Sequence, residues 1–154
     1  MLMNIRKLSK DESLPWDLLL LADPSRQIVE SYVKTGFVYI GEAADQVIGV
    51  YVLKETEKVV VEIMNVAVQE SFQHKGLGKQ LISHAIEEAS KRGYAQVEIG
   101  TGNSSIHQLR LYQQCGFRIV GVDLDYFSRS YDEPIYENGL LCRDMIRLCY
   151  TFES

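Results

Sequence analysis

The 154 residues suit one domain, 1–154, a length at which a chain hides roughly two-thirds of its unfolded surface without staples. A composition 46% hydrophobic and 24% charged excludes a disordered chain. The formal net charge of −5, with no Lys/Arg cluster longer than a pair and no apolar run near the roughly 18 residues of a membrane span, argues against nucleic-acid and membrane partners. Residues 3–8 alternate weakly and read as a first strand. Residues 13–34 read as helical, with Ser13 as the cap and Trp16, Leu19 and Leu20 on the apolar face. Pro24 divides this stretch into two helices, the second ending near Gly36. Strands follow at 37–43, 46–55 and 59–68, the first two joined by a hairpin turn at Ala44-Asp45. The third is nearly continuous in apolar residues and so central in its sheet.

Residues 76–92 form the clearest helix. Leu77, Leu81, Ile82, Ala85, Ile86 and Ala89 share one face, and Gly93 is the stop. A strand at 95–100, a helix at 104–115 ending at Gly116 and a long strand at 117–127 come next. A loop at 128–141, rich in Tyr, Asp, Glu and Pro, leads to a last strand at 142–152. The order specifies a mixed α/β domain around one sheet.

Cys115, Cys142 and Cys149 show no CxxC or Cys/His metal spacing, and an odd count closes no disulfide set. No metal is expected, and the thiols read as reduced ones in the cytoplasm. No secretory leader is expected, because the apolar run 18–22 is short and follows Asp11, Glu12 and Asp17. The mild negative charge favours cationic small molecules such as amines.

The segment QHKGLG (73–78) lies between a strand and the helix at 76–92. Gly76 and Gly78 let backbone N–H groups approach a ligand, and the helix N-terminus behind them offers unpaired donors and about half a positive charge. A diphosphate suits such a place. A plain strand-to-helix turn is the competing reading, since the pattern arises in roughly one chain in ten by glycine frequency alone. A dinucleotide-binding turn fits less well: Leu81 stands at its third glycine position and residues 69–75 separate strand from glycines, although Glu98 stands where a ribose partner would.

Taken in order, VEIMNVAV, QESFQHKGLG and KQLISHAIEEASKRG, followed by LYQQCGF (111–117), resemble the coenzyme-binding core of the GCN5-related N-acetyltransferase (GNAT) family. The resemblance is clear over about 45–120 and thinner elsewhere. It implies a GNAT-like acyl-CoA N-acyltransferase fold, with a central mixed, mostly antiparallel sheet of about six to seven strands and about four flanking helices. It implies acetyl-CoA as donor and a primary amine of a small molecule or peptide as acceptor, with direct transfer in a ternary complex. A non-catalytic acetyl-CoA sensor of the same fold is the alternative. Pairing of two copies through the C-terminal strands is compatible with this reading.

The resemblance also implies residue roles. Gln73, His74, Lys75, Gly76, Leu77, Gly78 and Lys79 hold the diphosphate, and the backbone at Val66, Ala67 and Val68 holds the thioester carbonyl and pantetheine arm. The family places a coenzyme-binding Asn seven residues before the Tyr of its second motif. Ser105 stands there, and Asn103 lies two residues earlier, so either side chain can make that contact. Tyr112 is the expected acid for the departing thiolate, since a phenol is a proton donor with a pKa near 10. A core tyrosine on an amphipathic helix is the other reading. Glu62 is the expected base, directly or through water, against a solvent-facing strand residue; Asn65 is expected on the opposite face, where it can line the cleft instead. His84 reads as a surface or boundary residue, and His107 as an ordinary helix residue, with contact to the coenzyme as the other reading. Asp123, Asp125, Tyr126, Tyr131, Asp132, Glu133 and Glu137 form an acidic, aromatic loop that suits a cationic amine or plain solvation equally.

Overall fold

Branched and aromatic residues dominate 37–68, and in the computed structural model, which describes residues 2–153, this stretch folds into three adjacent antiparallel strands. In chain order the elements are β1 (Asn4–Lys7), α1 (Trp16–Ala22), α2 (Arg26–Val33), β2 (Phe37–Ala43), β3 (Gln46–Glu57) and β4 (Val60–Val68). A 3-10 turn (Glu70–Phe72) leads to α3 (Leu77–Lys91), β5 (Gln96–Gly102), α4 (Ile106–Gln114) and β6 (Arg118–Asp123). Then come α5 (Tyr126–Ser130), β7 (Ile135–Glu137), β8 (Leu140–Cys142) and β9 (Met145–Thr151).

The main sheet runs β1-β2-β3-β4-β5-β9-β6, and only the β4–β5 pair is parallel. On one face, Leu77, Leu81, Ile82, Ala85 and Ala89 of α3 pack against Tyr51, Leu53, Val61 and Ile99. On the other, Leu18 and Leu19 of α1 and Val29 and Tyr32 of α2 cover Val50, Val52 and Ala67. Each fully buried leucine contributes about 1.5–3 kcal/mol over its exposed state. The hairpin at Ala44-Asp45 is present, both residues having left-handed φ (52° and 61°).

Four local expectations are corrected. Ser13 caps nothing: α1 starts at Trp16 behind Pro15, and the residue before a proline avoids helical backbone. Ser25 is the cap, its hydroxyl accepting from the Ile28 N–H that opens α2. The strand expected over 117–127 stops at Asp123, because Arg129 ties the next turn through bonds to Leu124 and Asp123, and α5 follows as a fifth helix. The loop expected over 128–141 contains the β7–β8 hairpin. Its turn is Asn138-Gly139, with left-handed φ at both residues (51° and 75°). Asn-Gly is a sequence signal for that turn.

A fourth correction concerns the central strand. Val52 pairs with Asn65 and Leu53 with Ile63, so Met64 has no partner on β3. This bulge reverses the alternation of side chains. Asn65 therefore sits on the α1–α2 side, bonded to Leu19 and Tyr32, rather than opposite Glu62.

Candidate active site

β4 and β5 pair only from Val60↔Gln96 to Ile63↔Ile99. Beyond that point the two strands separate, each still bonded to its outer neighbour, β3 or β9. The edge of β4 over 64–68 is thereby left facing a gap in the sheet. A cavity of about 850 Å³ fills this gap, lined by Val66, Ala67 and Val68 on one side and Gly100, Thr101 and Gly102 on the other.

One end of the cavity is the start of α3. Gly76 caps the helix with left-handed φ (79°) and without a side-chain hydrogen bond, so the first-turn N–H groups keep their donors for a ligand. His74 also has left-handed φ (65°), the kind of backbone from which anion-binding nests are built. A methyl group added at Gly78 would meet only the Leu111 side chain, at 3.4 Å. Gln73, His74, Gly76, Leu77, Gly78 and Lys79 all line the cavity. Lys75 lies outside that lining, with its ammonium over the Phe72 ring. The Gln73 amide donates to the Val68 carbonyl at 2.9 Å and ties the loop to the end of β4.

α4 forms another wall. Tyr112 lines the cavity and is only 5% exposed. Burial, then the neighbouring Cys115, push its phenol well above the usual tyrosine range, and the group stays protonated. His107 lines the same wall, its ring 5.9 Å from that of His74. Ser105 is buried in the lining and donates to Glu137 at 2.8 Å. Asn103 is turned elsewhere: its amide bonds the backbone of Leu141, Arg143 and Asp144 and holds the β8–β9 connection.

Glu62 lies at the far end, where Arg147 of β9 donates to it at 3.0 Å. The Arg147 guanidinium also stands 3.9 Å from Glu98. Burial opposes its charge, but Glu62, as an ion pair and hydrogen-bond acceptor, outweighs that and raises its pKa. Beside this pair sits a polar cluster at the α1–α2 junction. The Asp23 carboxylate, 8% exposed, accepts from the hydroxyls of Tyr32 (3.1 Å) and Tyr131 (2.8 Å). Asn65 donates to the Tyr32 oxygen at 2.9 Å.

The acidic, aromatic loop is divided by the fold. Tyr126, Tyr131 and Glu137 reach the cavity. Asp123 and Asp125 pair with Arg129 and Arg143, while Asp132 and Glu133 are exposed. Arg147, Asp23 and Tyr32 were not expected from sequence. The single cue to Arg147 is a charge inside the apolar run 145–150, and Asp23 before Pro24 reads as an ordinary turn residue. Among the described residues no group of three His, Cys, Asp or Glu side chains is placed to hold a metal ion. No helix of the described residues is long and apolar enough to cross a membrane.

A sheet opened beside a helix start that no side chain caps, with a buried tyrosine on the next helix, matches the arrangement expected for an acyl-CoA-dependent transferase. Residues 4–117 match the Acetyltransferase (GNAT) family, and the chain belongs to that family. It is an acetyl-CoA-dependent acyltransferase. It is 60% identical over 133 residues to the Bacillus subtilis (strain 168) protein named Uncharacterized N-acetyltransferase YvbK, covering 86% of each chain. Among solved structures it resembles a Bacillus subtilis acetyltransferase in complex with CoA, with 54% identity, a TM-score of 0.93 and coverage of 98% of this chain and 99% of that one. It also resembles a GNAT family acetyltransferase from Elizabethkingia anophelis with acetyl-CoA bound, with 42% identity, a TM-score of 0.96 and coverage of 97% and 98%.

Proposed function

We propose that this enzyme moves an acetyl group from acetyl-CoA directly to a primary amine of a small molecule or peptide, within a ternary complex. One observation carries the reading: a single cavity joins the open N-terminus of α3, the unpaired edge of β4, Tyr112 and Glu62. The diphosphate lies on the N–H groups of residues 76–79, near Gln73 and His74, with Lys79 adding charge. Ser105, the residue before α4, faces the coenzyme; Asn103 acts by shaping the loop behind it. The acetyl carbonyl accepts from the backbone at 66–68, donors that stabilise charge as it develops.

The acceptor nitrogen attacks the thioester carbon; a C–N bond forms and the C–S bond breaks. The proton leaving nitrogen passes to Glu62, directly or through water. Tyr112 meets the departing sulfur as a hydrogen-bond donor, and burial keeps it in that state. The fold acts as one domain, in the cytoplasm, where Cys115, Cys142 and Cys149 remain free thiols. A pairing of two copies would use β6, one of the two edges of the sheet, where Ile119, Val120 and Val122 are exposed.

Thermal unfolding with acetyl-CoA, followed by thiol release against a panel of amines, tests the proposal. Saturating coenzyme at about 100 times its Kd stabilises by about 2.7 kcal/mol. No shift at millimolar coenzyme refutes the binding site. Binding without thiol release across the panel favours the sensor reading.

A further inference from the structure

We propose that the acceptor end of the cavity contains a second cationic subsite, built on Asp23 and Asn65, so that the preferred acceptor is a diamine whose non-reacting ammonium is held there. The proposal rests on the acetyl-transfer reading and names the acceptor class for that site. Asp23 is almost fully buried, and its carboxylate is satisfied only by neutral donors: the hydroxyls of Tyr32 and Tyr131 and the backbone N–H of Ser25, at 3.2 Å. Among the described residues it has no ion-pair partner. The cation nearest in role, Arg147, is already engaged by Glu62 and Glu98. A buried carboxylate without a cation is costly, and a ligand ammonium removes that cost.

An independent feature points to the same ligand. Asn65 is 4% exposed and lines this cavity. Its amide nitrogen donates to the Leu19 carbonyl and the Tyr32 oxygen, both at 2.9 Å. The Leu19 carbonyl can only accept, which fixes the orientation of the amide. The amide oxygen is then a buried acceptor with no partner among the described residues. Such atoms are rare without a ligand or water to satisfy them. Asn65 is joined to Asp23 through the Tyr32 hydroxyl, which accepts from the amide and donates to the carboxylate, and an ammonium has three donors to offer such a pair.

The space between the two subsites is aromatic. Tyr126 lines the cavity together with Asp23, Glu62 and Arg147. Tyr126 and Tyr131 are half-buried in this lining, and aromatic rings of this kind attract a cation. A reacting nitrogen near Glu62 and a second nitrogen near Asp23 therefore share one walled channel. An acceptor bearing a carboxylate in place of the second ammonium meets the Asp23 carboxylate, while Arg147 beside it is already engaged by Glu62 and Glu98.

Calorimetric titration of the CoA-saturated protein with 1,4-diaminobutane, n-butylamine and 4-aminobutanoate tests the subsite without depending on turnover. The diamine is expected to bind about tenfold or more tightly than butylamine, and the amino acid weakest. Asp23→Asn should bring the diamine to the affinity of butylamine. Equal affinity of the wild type for diamine and butylamine overturns the proposal, as does a diamine preference that survives Asp23→Asn. If Asp23→Asn does not fold, the wild-type comparison decides alone. Thiol release separates this from the broader reading: diamine binding without release sinks acetyl transfer and leaves the subsite, whereas equal binding with release sinks the subsite only.

Discussion

Arg147 donates to Glu62 at 3.0 Å across the sheet, from a strand two places away and 85 residues later in the chain. The proposed base is thus a carboxylate held in place by a cation that also faces Glu98. Glu62→Gln keeps the shape and the hydrogen bond but removes the basic site. It should lower kcat by about a hundredfold with acetyl-CoA affinity changed less than about twofold, as steady-state kinetics and calorimetry would record. Arg147→Met leaves Glu62 and Glu98 without their shared cation. Both partners are part-exposed, so the expected loss is about 1–2 kcal/mol rather than the larger figure for a fully buried pair, measured by urea unfolding.

Tyr112→Phe retains the buried ring and removes only the donor. Turnover should fall by about a hundredfold or more while coenzyme affinity stays within about twofold. Since burial raises the phenol, the wild-type rate should show no alkaline fall attributable to Tyr112 near the ordinary tyrosine pKa of 10. A fall near that pH that vanishes in Tyr112→Phe would overturn the raised phenol pKa, whereas unchanged turnover in Tyr112→Phe would remove the tyrosine from this role.

Gly76 and Gly78 are expected to respond with opposite signs in stability. Gly76 has φ of 79°, so Gly76→Ala strains the backbone by about 1 kcal/mol even though its methyl group meets nothing within 4 Å. Gly78 lies inside α3 with room for a methyl group, so Gly78→Ala should stabilise the helix by up to about 1 kcal/mol. Both changes put a Cβ where the proposed diphosphate site lies, and both should weaken acetyl-CoA binding. Chemical unfolding and calorimetry on the two variants separate these effects.

His84 supplies a pH dependence of stability. Its Nδ1 lies 2.7 Å from the Tyr51 hydroxyl, and burial lowers its pKa from the ordinary 6.5. The unfolded chain then binds a proton at a pH where the folded chain does not. Stability is complete above about pH 6.5 and declines as pH falls from there to the lowered folded value. His84→Gln should flatten that part of the Tm–pH curve; an unchanged slope would assign it to other groups.

The apolar periodicity of residues 77–89 and the branched run at 60–68 are local properties, and they placed α3 and β4 to within a residue or two. The glycines at 76 and 78 likewise marked the helix start from sequence, because left-handed backbone and close approach are demands that one residue type meets locally. Tertiary structure decided the acceptor end. The bulge at Met64 moved Asn65 to the α1–α2 side, and it arises from pairing with β3, which no pattern within β4 reveals. Asp23 meets Tyr131 across 108 residues and Glu62 meets Arg147 across 85, so neither partner leaves a trace in the other's neighbourhood. The proposed donor half of the site is written in contiguous segments because a helix start and its loop offer a diphosphate mainly backbone N–H groups. The acceptor half is assembled from side chains on five separated segments, and only their packing brings them together.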